Sequence, residues 1–478
     1  MRRHFLTATA KLLSIALIAP APLIAHSAVA RAGHLLEPRL QPGDEAEVEI
    51  TLEMGGKLIV ADAQGKEVRL PVSAVGKLEF HQQLLSWDLA ATNSVRDVRR
   101  YHSAAATLKS DAAGAERKLD SNSTTVVAAI LDGRLMANGL DAPLTREQAD
   151  LIDTMADPLT LDRLLPNREV EKGEKWSHDK EAIASLLGMD HVAACTAESE
   201  ITGVSNGQVQ IRMAGTADGV IDGAATELEL QAAYLYHPGE GRITKFNLAV
   251  REERKPGEAS PGLDATAKLS IHVQPSTRGA SSESEFSVED LNRAASFSEA
   301  EVRQLAIDAP QRGFRFRHDN AWIVTAEPRD LLSLRLLKGG EMIAHCNVSA
   351  LPSGSADQST TLADFERDVR HSLGEKAEQV AAAKEWTTSA GHRCFGVFVD
   401  GKVDDAAIQW RYYLVSDDSL GATSVSVTVE QTWLADFADA DRLIVDSLEL
   451  LPRAATPAEP ASTASSKPSG RRAGKTRR

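Results

Sequence analysis

Residues 226–250 read TELELQAAYLYHPGEGRITKFNLAV. Leu228, Leu230, Tyr234 and Tyr236 fall on one side of a two-residue period, and after the turn-forming HPGEG so do Phe246, Leu248 and Val250. The positions between them, Glu227, Glu229, Gln231, Lys245, Asn247 and Arg251, are polar. Successive side chains of a strand point to opposite faces, so this alternation predicts antiparallel strands with one wet face and one apolar face. The same rhythm extends outward, to Val209, Ile211 and Met213 on one side and Ala267, Leu269, Ile271 and Val273 on the other. It holds from about Leu40 to Pro275, which predicts a mainly antiparallel, curved β-meander over residues 31–275. Gly55-Gly56, between two alternating runs of Ala46 to Ala61, predicts a hairpin turn. Between Pro143 and Asp190 the period changes. Thr145 with Gln148 makes a capping box ahead of Ala149, Ile152 and Met155, and Asp179 caps a second short helix holding Ile183, Leu186 and Leu187. The apolar sheet face needs a cover, which these helices, another sheet or a bound apolar ligand can supply.

Residues 276–312 lose the alternation, beginning with STRGASSESE and continuing into a helical stretch around Val302 and Leu305; they are read as a linker. Beyond it, residues 313–452 mix strands with helices. Strand-like runs lie around Trp322, at Leu332 to Leu337, Met342 to Val348, Cys394 to Val399, Ile408 to Val415 and Val425 to Val429. A helix follows Thr361, with Leu362, Phe365, Val369 and Leu373 on one stripe and Gly374 at the C-cap, and a last helix starts at Asp436. The fold class expected for the whole chain is α+β: an antiparallel β region followed by an α/β sandwich on an antiparallel sheet. The element order, with QWRYYLVSDD at 409–418, SVSVTVEQTW at 424–433 and DADRLIVDSLEL at 439–450, resembles the PsbP-like α/β sandwich domains of exported bacterial proteins. That resemblance implies an accessory, assembly or envelope role and assigns no catalytic residue. The N-terminal region is similar to uncharacterised exported bacterial proteins with long β-meanders, which implies no activity.

The two ends differ from the middle. Arg2, Arg3 and Lys11 flank the apolar run Leu12 to Ala25, and Ala28-Val29-Ala30 offers a small-residue cleavage site, so residues 1–30 read as a secretory signal peptide cut after Ala30. The run is too short, and too broken by Pro20 and Pro22, for a membrane span. Residues 453–478, rich in Ala, Pro, Ser and bases, read as a disordered basic tail. The 478-residue chain has a net charge of -15, but without residues 1–30 and 454–478 the remainder carries -23. A field of that sign repels phosphate backbones, so the core is not expected to bind nucleic acid. Only the tail, through Lys467, Arg471, Arg472, Lys475, Arg477 and Arg478, suits an anionic partner, and its bland reading is a solvated charge run.

Three cysteines allow at most one intramolecular disulfide. Cys346 and Cys394, both in strand-like runs, are the candidates; two buried free thiols are the equal alternative. A third arrangement makes His345, Cys346, His392 and Cys394 zinc ligands, against the usual spacing rule.

Catalytic motifs are scarce. Gly203-Val204-Ser205-Asn206-Gly207 matches the hydrolase string G-x-S-x-G, but alternating runs on both sides make Asn206-Gly207 a hairpin turn instead of a strained strand-to-helix elbow. Asp218-Gly219 and Asp222-Gly223 read as two turns, not a calcium loop. The 13 His include no H-E-x-x-H pair, and no phosphate-cradling glycine loop occurs. Trp410, Tyr412, Tyr413 and Trp433 line a groove or, more simply, build core. No cofactor is expected. The expected function is therefore a non-enzymatic, exported binding or assembly protein whose partner is a protein or envelope polymer. One variant makes the N-terminal sheet a carrier of an apolar ligand, and the competing class is a hydrolase with a motif-free active site.

Overall fold

The computed structural model describes residues 33–452, apart from 62–63, 89–93, 111–112, 258–259, 277–283, 327–330, 340 and 352–359. The segment read as a signal peptide and the basic tail lie outside the described residues. The chain is mostly β, with several antiparallel sheets, none of them closed.

The largest sheet joins two meanders edge to edge. Glu45–Ala61, Glu67–Ser86 and Val95–Ser110 form the first; Glu198–Ser205, Gln208–Ile221, Ala224–His237, Arg242–Arg254 and Gly262–Pro275 form the second. Gly262–Pro275 pairs along its whole length with Glu45–Ala61, so 13 strands share one hydrogen-bonded surface. Its apolar face carries Val48, Ile50, Leu78, Phe80, Tyr234, Phe246, Leu248, Leu269 and Ile271, all buried. That face is covered from within the chain. Helices Arg146–Ile152, Pro158–Leu161 and Lys180–Leu187 contribute Ile152, Leu161, Ile183, Leu186 and Leu187 to the same core. Thr145 and Gln148 form the capping box expected of them, and Asp179 accepts from the Ala182 amide. Thr125–Leu131 is buried on both faces, which explains its unbroken apolar sequence TVVAAIL.

Two glycine readings are corrected. Gly55-Gly56 is not a turn: Glu45–Ala61 runs through it as one strand, and a Cβ on Gly56 would sit 2.3 Å from the Asp264 carbonyl oxygen of the neighbouring strand. The glycine permits close backbone approach, a use that looks the same in sequence as a turn. Asp218-Gly219 likewise lies inside Gln208–Ile221, where Gly219 admits the carbonyl of His191. The other turns are where the sequence puts them. Asn206 and Gly207 have φ of 51° and 76°, and Asp222 and Gly223 of 48° and 74°, the double left-handed signature of a type I′ hairpin.

Most of the described part of 276–312 is built into the structure instead of linking loosely. Helices Val288–Ser296 and Glu299–Val302 place Ala294 and Val302, with Phe286, against Val98, Val127, Ala129 and Leu131 on the outer face of the large sheet. Gln304–Ala309 then pairs with Phe314–Asp319. The apolar positions of this stretch are too widely spaced to announce an outer-face cover.

The C-terminal part holds a seven-stranded antiparallel sheet ordered Trp322–Ala326, Leu331–Lys338, Glu341–Ala350, Gly421–Glu430, Ala406–Asp417, Arg393–Val403, Ala377–Thr387. Helix Leu362–Leu373, capped by Thr361 and Asp364, packs Val369 against Val397 and Val399. Phe437, Ile444, Val445 and Leu448 cover the other face. The last helix is not continuous: Ala438, at φ 46°, divides it into Leu434–Phe437 and Arg442–Asp446.

Candidate functional site

The inner face of the first meander changes character along its length. Cross-strand registers define rows: Val48, Phe80 and Tyr101; then Ile50, Leu78 and Ala104; then Leu52, Gly76 and Ala106; then Met54, Ala74 and Leu108. The first two rows are buried. In the third, side-chain volume collapses to one Leu, one Gly and one Ala. A Cβ placed on Gly76 would find its nearest neighbours, Ala105 O and Ala106 Cβ, at 3.8 Å, ordinary contact distance, so a side chain fits there without displacing an atom at its Cβ. Helix Arg146–Ile152 passes over this gap instead of filling it, presenting Leu151 to the sheet.

The result is a cavity of about 470 Å³. Ile50, Leu52, Ala74, Leu78, Ala105 and Leu108 supply apolar walls, and Arg117, Glu147, Asp150, Asp153 and Thr154 supply its polar residues. Leu108 remains 39 % exposed. Arg117 and Glu147 meet at 2.9 Å, both solvent-exposed, so their pairing is worth little energy and is easily opened. Arg146 holds Asp150 at 2.7 Å. Enclosure by surrounding protein pushes the Asp153 carboxyl up to about 6, although its side chain still meets solvent. This is the usual composition of a small-molecule site, an apolar body with a few convergent polar groups, and its volume lies within the usual range.

Buried charge fixes the helical cover. Arg99 on Val95–Ser110 donates two hydrogen bonds of 2.7 Å to Asp157, which also caps Pro158–Leu161, while its Nε lies 2.9 Å from Asp97. Burial pushes Asp97 up to about 7, against the pull of Arg99. Asp162 accepts from the Ile243 amide at 2.7 Å, tying the same segment to the second meander.

A second cavity of about 400 Å³ lies between the large sheet and the C-terminal part, and Asp150 and Asp153 line it as well. Its charges are matched internally: Arg134 with Asp190 at 2.7 Å, Arg303 with Asp132 at 2.6 Å. It is an ion-paired seam whose lining mixes these charges with apolar residues such as Leu135, Met136, Ile323 and Leu337.

The residues singled out by sequence do not converge. Cys346 and Cys394 are free, which corrects the disulfide candidate. Their strands are separated by Gly421–Glu430 and Ala406–Asp417, three strand spacings or about 14 Å, well past the ~7 Å Cα limit for a bridge. Burial raises both thiols far above their usual value. The same separation removes the zinc set, since His392 instead accepts from the Leu450 amide. Ser205 ends one strand of a hairpin and pairs with Gln208, so it lies at a strand-to-strand turn and not at a strand-to-helix elbow. Trp410 and Tyr413 are buried, and Tyr413 donates to Asp441. Sequence reasoning missed the cavity because the row Leu52, Gly76, Ala106 exists only in the register; the small residues Gly76, Ala105 and Ala106 were its one visible trace.

No family model matches the chain, and no curated protein matches it. Among solved structures, the chain is similar to cyanobacterial PsbP from Synechocystis sp. PCC 6803 at 13% identity, over 31% of this chain and 92% of that one, with TM-score 0.25. It is also similar to lipovitellin, in a structure titled for lipid–protein interactions, at 10% identity over 51% of this chain and 26% of that one, TM-score 0.29. DynF from the dynemicin pathway of Micromonospora chersina matches at 7% identity over 52% and 86%, TM-score 0.15. The PsbP-like resemblance is thus weak, and none of these likenesses decides a function.

Proposed function

We propose that this chain is an exported, non-enzymatic binding protein that holds an apolar ligand between its large sheet and helix Arg146–Ile152. The cavity over Gly76 carries this reading: its walls are apolar, the helix above it does not fill it, and its polar residues sit together to receive a ligand's head group. Each methylene moved from water into such walls gains about 0.8 kcal/mol, so about ten of them match the ~8.2 kcal/mol of micromolar affinity before the cost of immobilising the ligand. Export rests on the basic, apolar and small-residue segments of residues 1–30. The C-terminal part, read as a PsbP-like α/β sandwich, would dock to a protein or envelope polymer, and the basic tail suits an anionic surface.

The test is native mass spectrometry of the protein purified without detergent and then incubated with a long-chain fatty acid. One bound molecule per chain supports the reading. Bare protein mass before and after incubation contradicts it.

A further inference from the structure

On the outer face of the first meander, opposite the cavity wall, a set of metal-ligating side chains converges from three separate stretches. Glu47 comes from Glu45–Ala61, His102 from Val95–Ser110 and Glu285 from the segment leading into Val288–Ser296. His102 Nε2 lies 3.6 Å from Glu47 Oε2 and 3.7 Å from Glu285 Oε1, and one ligand atom from each residue falls within 4.8 Å of the others. Zinc holds N and O ligands at about 2.0–2.1 Å in a tetrahedron, which sets its ligands about 3.4 Å apart, close to the two shorter separations.

Two features place these groups. The register of Glu67–Ser86 with Val95–Ser110 shifts between Glu79 and Phe80, pairing Glu79 with Ser103 and Phe80 with Tyr101, so His102 is the extra residue of a β-bulge. Bulges re-aim a side chain, and here the one re-aimed is the imidazole. Behind it, His81 is 4% exposed and places Nδ1 2.8 Å from Glu47 Oε1, leaving Oε2 of the same carboxylate toward His102. A buried imidazole that fixes a carboxylate from the far side is the kind of outer-shell support metal ligands receive. Its Nε2 has no hydrogen-bond partner among the described residues, although Glu45 Oε2 stands 3.4 Å away.

We propose that Glu47, His102 and Glu285 bind a divalent cation of the zinc type, with a fourth position open to water, and that the ion staples the segment around Phe286 to the outer face of the sheet. Phe286 is buried beside His81, with ring centroids 5.6 Å apart, so Glu285 is delivered to the site by a packed anchor. The imidazole favours zinc over calcium or magnesium, which prefer all-oxygen sites.

The experiment is calorimetric titration of the EDTA-stripped protein with Zn2+ alone, in wild type and in His102→Ala, Glu285→Gln and His81→Gln. Wild type should bind one ion per chain, and each variant should bind at least about 10-fold more weakly. His102 and Glu285 are partly exposed, at 44% and 36%, so their variants should melt with the wild type in EDTA, while only the wild type rises when zinc is added. Absence of binding by the wild type, or undiminished binding by both His102→Ala and Glu285→Gln, overturns the proposal.

Discussion

Arg99 and Asp157 face one another as a two-pronged pair, 2.7 Å at each contact, with exposures of 1% and 2%. One belongs to the sheet and the other to the helical segment laid across it, so a single ion pair registers the cover that shapes the cavity. Removing Asp157 leaves the buried Arg99 with Asp97 as its remaining carboxylate and strips both 2.7 Å bonds from its guanidinium, at a cost of about 3–5 kcal/mol. Asp157→Ala should therefore lower the urea midpoint by that equivalent, with added loss from the Pro158–Leu161 cap. A loss under about 1 kcal/mol would mean that water reaches the pair.

The glycines of Glu45–Ala61 give a paired test. Gly56→Ala must push against the Asp264 carbonyl oxygen at 2.3 Å and the Ala265 Cα at 2.5 Å, whereas a Cβ on Gly55 meets nothing within 4 Å. Gly56→Ala should destabilise by about 1–3 kcal/mol and Gly55→Ala by little or not at all. Equal effects in thermal melts would return the pair to a turn.

What the sequence made legible follows from which forces act locally. The alternation around Leu228–Tyr236, the caps at Thr145, Asp179 and Thr361, and the Asn206-Gly207 turn were readable because each depends on near neighbours. Gly56 and Gly219 were misread because what they accommodate belongs to strands far along the chain. The cavity and the Glu47, His102, Glu285 cluster stayed invisible for the same reason: both are products of cross-strand register, and no spacing along one strand encodes them.

Stability should depend on pH through His318. Burial holds this fully enclosed imidazole down to about 4, and its Nε2 has no partner among the described residues. A depressed folded value means the stability is present above the unfolded value of about 6.5 and is lost as pH falls toward 4, by at most about 3 kcal/mol. Asp97, raised to about 7, acts with the opposite sign over the same window: its contribution is present at low pH and lost as pH rises through 7. The whole-protein curve sums these with the other shifted groups, Asp162 and His178 among them, so the difference between wild type and His318→Gln isolates the imidazole. That difference should change with pH between 6.5 and 4, and a flat difference would refute the assignment.

The thiols offer a simple check. Cys346 and Cys394 are buried and apart, and Cys195 is partly exposed. Without reductant, the denatured protein should release three reactive thiols per chain to a disulfide-exchange reagent, while the native protein should react slowly at Cys346 and Cys394. One reactive thiol after denaturation would establish the bridge that the strand order excludes.

The central claim, an apolar ligand held over Gly76, is tested most directly by filling that space. Gly76→Leu enters a gap whose nearest atoms to a new Cβ are at 3.8 Å, so it should fold and melt within about 1 kcal/mol of wild type. Native mass spectrometry of both proteins, incubated with the same long-chain fatty acid, should find one bound molecule on wild type and none on Gly76→Leu. Equal occupancy of the two proteins, or no occupancy of either, would contradict the account.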